Sequence, residues 1–200
     1  MLRAAFPVLI FSVVTIIGCR SDRPTPAADA TPGVIDSALP IPVLLDRFRA
    51  TTSDTPTVLT GGAATPEALV RRLLEAVATH DTTALRALVM SRAEFGWLYY
   101  PHTKYTARPY ELDPALLWLQ FGNTSETGAV RLLQRYGGAR LRYEGLLCPD
   151  SVLVEGPNRI TPGCRVRFAV ADSAPRTLQL FAGLLARDGR YKFLSYANDL

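Results

Sequence analysis

The chain has 200 residues, almost half of them apolar, which is enough for one domain with a real core and a linker besides. Its formal charge is only +4, and the positives are nearly all arginine, with lysine only at Lys104 and Lys192. They are scattered along the sequence, which argues against the basic stripe of a nucleic-acid binder, and no nucleic-acid partner is expected.

Arg3 supplies a positive start, and Ala4 to Ile17 form an apolar run shorter than the roughly 20 residues of a comfortable membrane span. The run closes on Ile16-Ile17-Gly18-Cys19, which resembles the bacterial lipobox. That resemblance implies that residues 1–18 are a signal peptide, that cleavage precedes Cys19, and that Cys19 then carries several acyl chains. Together these anchor a protein stably on a membrane. Arg20 follows Cys19 where an aspartate would retain the protein at the inner membrane. By resemblance to enterobacterial sorting, the expected location is the periplasmic face of the outer membrane. In that oxidising space the other two cysteines, Cys148 and Cys164, are expected to be bridged, contributing about 3 kcal/mol in the chain-entropy model. A metal site built on them would need more ligands than two distant histidines offer, so no metal is expected.

Residues 19–64 are rich in Pro, Thr, Ala, Asp and Gly and read as a tether. The patch 41–48, Ile41-Pro42-Val43-Leu44-Leu45-Asp46-Arg47-Phe48, is too apolar to leave in water and is expected to dock on the domain. Thr60 to Thr65 holds two glycines but no following Lys-Ser/Thr, so it is a hinge and not a phosphate loop.

A single domain is expected over 65–200. Thr65-Pro66-Glu67 opens it with a cap, a first-turn proline and a first-turn acid. Leu69, Val70, Leu73, Leu74 and Val77 follow at helical spacing. Asp81 caps a second helix with Leu85 and Leu88, and Ser91 to Glu94 is a capping-box pattern. The aromatic, proline-broken stretch Trp97 to Pro114 comes next. Asp113-Pro114 starts a third helix with Leu116, Leu117, Trp118 and Leu119. A fourth runs from about Thr124 to Tyr136 and stops at Gly137-Gly138.

From Arg140 the apolar period falls to two. Leu141 to Leu147, Val166 to Val170, Thr177 to Ala186 and Tyr191 to Tyr196 predict an antiparallel meander of about four strands. Asp188-Gly189 is the turn of the last hairpin, pairing Leu184 with Phe193. The predicted fold class is therefore α+β, with N-terminal helices packed on a C-terminal curved antiparallel sheet. In a regular ladder the apolar positions of the first two strands differ in parity, so Cys148 and Cys164 would face opposite ways. Bridging them requires a bulge, expected near Leu147 to Pro149. The final hairpin is apolar on both faces, so something covers its second side: the 41–48 patch or another subunit.

Helices followed by a curved meander ending in Asp188-Gly189-Arg190-Tyr191-Lys192-Phe193 resemble the nuclear-transport-factor-two-like superfamily, the SnoaL-like or cystatin-like cone. The helical opening (65–97) and the sheet (140–198) carry the likeness, while the short strand pair usual between the second and third helices is replaced by the aromatic loop. The superfamily includes small-molecule isomerases and dehydratases as well as non-catalytic binding modules, so the likeness leaves function open. Catalysis in such a cone would use His102 or Asp113, with Glu94 as a further acid. Yet Asp113 reads first as a helix cap, Glu94 as the return arm of a capping box, and His80 as a helix-end residue. No hydrolase, zinc or nucleotide signature is present, and no cofactor is called for. The sequence leans against an enzyme. It favours a lipid-anchored envelope module for a small apolar ligand or an envelope partner, a homodimer included, over a structural lipoprotein. Trp97, Tyr99, Tyr100, His102, Tyr105 and Tyr110 are the expected contact surface, chiefly a structural lid.

Overall fold

The computed structural model describes residues 39–200, so residues 1–18, read above as a signal peptide, and Cys19 lie outside the described residues. The fold is α+β: five helices packed against two antiparallel sheets of three and four strands, the helices mostly preceding the strands.

Helix α1 (Ile41–Arg49) is the apolar patch, and it buries Leu45 and Phe48. The chain then stays packed, with Leu59 and Ala63 buried and Ala63 exchanging both backbone hydrogen bonds with Tyr191 at 2.8 and 3.0 Å. The stretch from Ile41 to Ala64 thus belongs to the compact unit, which begins earlier than the Pro/Thr-rich composition implies. Its few apolar side chains suffice to pin it.

Helix α2 (Pro66–Ala78) is capped by Thr65, whose hydroxyl accepts from the Ala68 amide. Helix α3 (Thr82–Leu88) is capped by Asp81 in the same way. The capping box Ser91/Glu94 starts the short α4 (Arg92–Glu94), which runs directly into a π turn over Phe95–Tyr99. Helix α5 (Pro114–Tyr136) is one unbroken element of 23 residues and not the two helices expected. Gly122-Asn123 reads as a break by propensity, but neighbouring turns hold it in register, as packing routinely overrides a single glycine.

The four expected strands are present, the third of them broken in two, and a further hairpin stands between the first and the second. The first is β1 (Leu141–Leu147); β2 (Leu153–Glu155) and β3 (Asn158–Pro162) form the unexpected hairpin; the second expected strand is β4 (Arg165–Val170), and the third gives β5 (Arg176–Leu178) and β6 (Gly183–Arg187). β7 (Arg190–Phe193) completes the meander, so the sheet orders β1-β4-β5 and β2-β3-β6-β7 are two halves of one bent ribbon. Pro149, Pro162 and Gly163 sit at the corner; the prolines have no amide to give a ladder, and Gly163 has φ +69°. Leu184 pairs with Phe193 across the last hairpin, as the turn position requires.

The bulge is real but lies elsewhere than expected. Leu141 and Tyr143 pair with Val170 and Phe168, whereas Gly145 and Leu147 pair with Arg167 and Arg165. Glu144 is the extra residue, and the one-step shift after it brings Cys148 opposite Cys164. The two are bridged, with Cα atoms 4.2 Å apart. Burial along β1 switches parity at the same point, from Leu141 and Tyr143 to Leu146. Placing the bulge early lets the strand keep its apolar side chains inward on both sides of the shift.

Two cores result. One lies among α2, α3, the end of α5 and the concave sheet, and includes Leu73, Leu132, Phe168 and Leu184. The other lies on the opposite side of β6, where Leu185 and Ile160 meet Leu45, Phe48, Phe95 and Tyr100. The second apolar face of the last hairpin is thus covered by α1 and the π turn of the same chain.

Candidate functional site

The aromatic segment divides between core and surface. Phe95 is a hub, its ring centroid 5.3–6.0 Å from those of Phe48, Tyr99, Tyr100, Trp118 and Phe121. Tyr99 and Tyr100 are buried, and the Tyr100 hydroxyl donates to the Leu112 carbonyl at 2.5 Å. Burial first, and Asp113 second, push the Tyr100 phenol up to about 12; burial raises Tyr99 further. Neither phenol is an acid at neutral pH. Trp97 is half-buried, its indole N–H donating to Thr52 and its ring covered by Arg49. Tyr105 and Tyr110 pack edge to face beside Lys104, with Tyr110 exposed.

His102 is exposed and lies against Gly156, in the turn of the β2–β3 hairpin. Partial burial and the nearby Arg187 guanidinium lower its pKa, so the ring is neutral near pH 7. Asp113 spends a carboxylate oxygen on the Ala115 amide as the α5 cap. His80 packs beside Gly137 at the end of α5.

Glu94 does more than close its capping box. Its Oε2 accepts from the Ser91 amide at 2.8 Å and from Lys192 Nζ at 2.7 Å, while Oε1 accepts from the Thr60 amide and hydroxyl. Both partners of this ion pair are buried. Burial lowers the Lys192 pKa, and Glu94 draws it partly back. The pair ties β7, α4 and the 58–63 segment together. Its oxygens are fully used in doing so, which suits a structural post better than a catalytic acid.

The concave feature lies elsewhere. Between α3 with the residues following it and the length of α5 runs a cleft of about 560 Å³. None of its lining residues comes from Trp97 to Asp113. One face of α5 forms a wall: Trp118, Gly122, Ser125, Ala129 and Leu133 follow one another at helical spacing. Large side chains stand at the ends of that stripe and small ones in its middle, so the helix surface is scooped. A Cβ on Gly122 would meet nothing within 4 Å. Glycine in a helix interior costs about 0.5–1 kcal/mol relative to alanine, and here no packing contact requires it. Its effect is to widen the cleft.

Leu85, Val89 and Met90 form the other wall, and Leu194 and Tyr196 the floor. The Met90 amide donates to the Phe193 carbonyl at 2.9 Å, fixing that wall to β7. The floor is fastened to α5 at Gly128, where any Cβ would enter the Tyr196 carbonyl. The Tyr196 amide donates to Ser125 Oγ at 3.1 Å, and its phenol to the Leu85 carbonyl at 2.6 Å. Burial raises that phenol well above its ordinary range. Arg86, Arg92 and Glu126 also line the cleft. Among the described residues, no three His, Cys, Asp or Glu side chains are placed together to hold a metal ion.

Comparison with family models, curated proteins and solved structures finds no match to this chain. Function therefore has to be inferred from the geometry above. The cleft is not legible in the sequence while a helix break is placed near Gly122-Asn123; the large-small-large stripe from Trp118 to Leu133 emerges only along one continuous α5.

Proposed function

We propose that this is a lipid-anchored cell-envelope protein whose domain binds a small apolar molecule in the α3–α5 cleft without transforming it. The observation that carries the proposal is a preformed apolar hollow of about 560 Å³ with a glycine lining it at Gly122, a size and character ordinary for small-molecule sites. Catalysis finds little support there. The ionisable side chains on the lining are two arginines, one glutamate and a tyrosine whose phenol is pushed away from working pH. His102 and Asp113 lie off it. The lipobox-like Ile16 to Cys19 and the Cys148–Cys164 bridge support anchorage by Cys19 on the periplasmic face of the outer membrane. The helices-then-bent-meander order supports the likeness to the nuclear-transport-factor-two-like cone, as a binding member of that superfamily.

The chain has two tryptophans, so Trp97→Phe leaves Trp118 as the sole reporter on the cleft wall. Titration with dodecanol, a neutral single-chain probe, is expected to shift Trp118 emission saturably. Gly122→Leu, which improves helix propensity while filling the hollow, is expected to abolish the shift. An emission that never saturates, or that ignores Gly122→Leu, removes the proposal.

A further inference from the structure

The charged groups around the cleft do not cancel. Arg86 and Arg92 line one wall and Glu126 the other, leaving one net positive charge on the lining. Arg92 gives its Nε and Nη2 hydrogens to the neutral Thr51 hydroxyl, at 3.2 and 2.8 Å, and lies 4.2 Å over the Phe48 ring, so its charge is not cancelled. Arg86 is exposed on α3, and among the described residues neither it nor Glu126 takes part in an ion pair.

Two hydroxyls add to this. Ser91 Oγ accepts from the Glu94 amide at 3.2 Å and Ser125 Oγ from the Tyr196 amide at 3.1 Å. Each oxygen is thus oriented by a backbone donor, while its own proton has no acceptor among the described residues. Both line the cleft. The hollow therefore offers donors and one unit of positive charge beside an apolar trough, which is the complement of an acceptor-only group bearing a single negative charge. A dianionic phosphate would exceed that charge and face Glu126; a neutral alcohol would leave Arg86 without a counter-charge.

Resting on the binding function proposed above, we propose that the ligand is a single-chain amphiphile with a carboxylate head. Arg86 and the Ser91 and Ser125 hydroxyls receive the head, and the chain lies along the Trp118–Leu133 stripe. Glu126 opposes a second negative charge and so sets the preference for a mono-anion.

Calorimetric titration of the whole protein with dodecanoate, dodecyl phosphate and dodecanol, each below its aggregation concentration, tests this. Dodecanoate is expected to bind about tenfold more tightly than dodecanol, the gain of one hydrogen-bonded charge at a partly exposed site. Dodecyl phosphate is expected to bind more weakly than dodecanoate, and Glu126→Gln to narrow that difference. Arg86→Gln is expected to weaken dodecanoate about tenfold, and Gly122→Leu to abolish binding of all three. Equal affinities for dodecanoate and dodecanol, or an Arg86→Gln variant that binds dodecanoate like the wild type, overturn the carboxylate while leaving the apolar cleft in place. Absence of binding by every probe overturns the cleft as a site altogether.

Discussion

Gly122 and Gly128 lie less than two turns apart on α5, and the same substitution should have opposite effects at the two. Alanine is favoured over glycine in a helix interior by about 0.5–1 kcal/mol. At 122 the new methyl meets nothing within 4 Å, so Gly122→Ala should collect that whole difference. For a domain of this size it corresponds to a rise in Tm of about 2 °C. At 128 the methyl falls inside the Tyr196 carbonyl and 3.0 Å from Asn198 Nδ2. The first of these is backbone and cannot swing aside, so the 195–200 strap must lift. Lifting it weakens the hydrogen bonds from the Tyr196 backbone amide to Ser125, from the Asn198 side-chain Nδ2 to the Gly128 carbonyl and from the Tyr196 phenol to the Leu85 carbonyl. Overpacking of this kind and the lost hydrogen bonds together cost about 3 kcal/mol or more. The expected fall in Tm is about 6–12 °C. Calorimetric and urea melts with the disulfide intact measure both variants. If the two move together, or if Gly128→Ala is the stabilised one, the strap is not where the account needs it, and the cleft loses its floor.

The buried ion pair makes a second prediction. Glu94→Ala strands Lys192 and the Thr60 and Ser91 amides, and should cost about 3–5 kcal/mol in a urea melt, while Glu94→Gln/Lys192→Met should recover much of that loss. Because burial lowers Lys192, the folded state sheds this proton at lower pH than the unfolded chain does. The unfolded chain then binds more protons between the two pKa values. Wild-type stability relative to Lys192→Met should accordingly rise with pH across that window up to about 10.5, and fall as pH drops through the folded value; a decline with rising pH contradicts the assignment. The Cys148–Cys164 bridge closes a loop with a sequence separation of 16. Replacing both cysteines with serine should cost about 3 kcal/mol in the same melts, and an unchanged midpoint counts against that figure.

Local signals reached far into this fold. Thr65, Asp81, Ser91 and Asp113 all cap the helices they precede. The Asp188-Gly189 turn set the register of the last hairpin, and the parity clash between two strands required a bulge. What sequence could not supply was non-local. The bulge sits at Glu144 because the ladder needs the shift before the corner, and nothing in that glutamate announces it. Thr177 to Ala186 reads as one continuous apolar strand, yet Leu180 and Phe181 leave the ladder at the corner and fill the concave core. Lys192, on a surface-looking hairpin, finds its partner 98 positions away. The cleft depended on reading α5 as one piece, and the aromatic loop drew attention to a dense cluster that turns out to be largely the wall of a second core.

The most direct check is to locate a bound probe. With dodecanol added to isotopically labelled protein, intermolecular nuclear Overhauser effects should join the probe's chain to the Met90 methyl, the Val89 methyls and the α-protons of Gly122. Contacts instead to the rings of Tyr105 and Tyr110, with silence at Gly122, would place any binding on the aromatic surface and contradict the cleft.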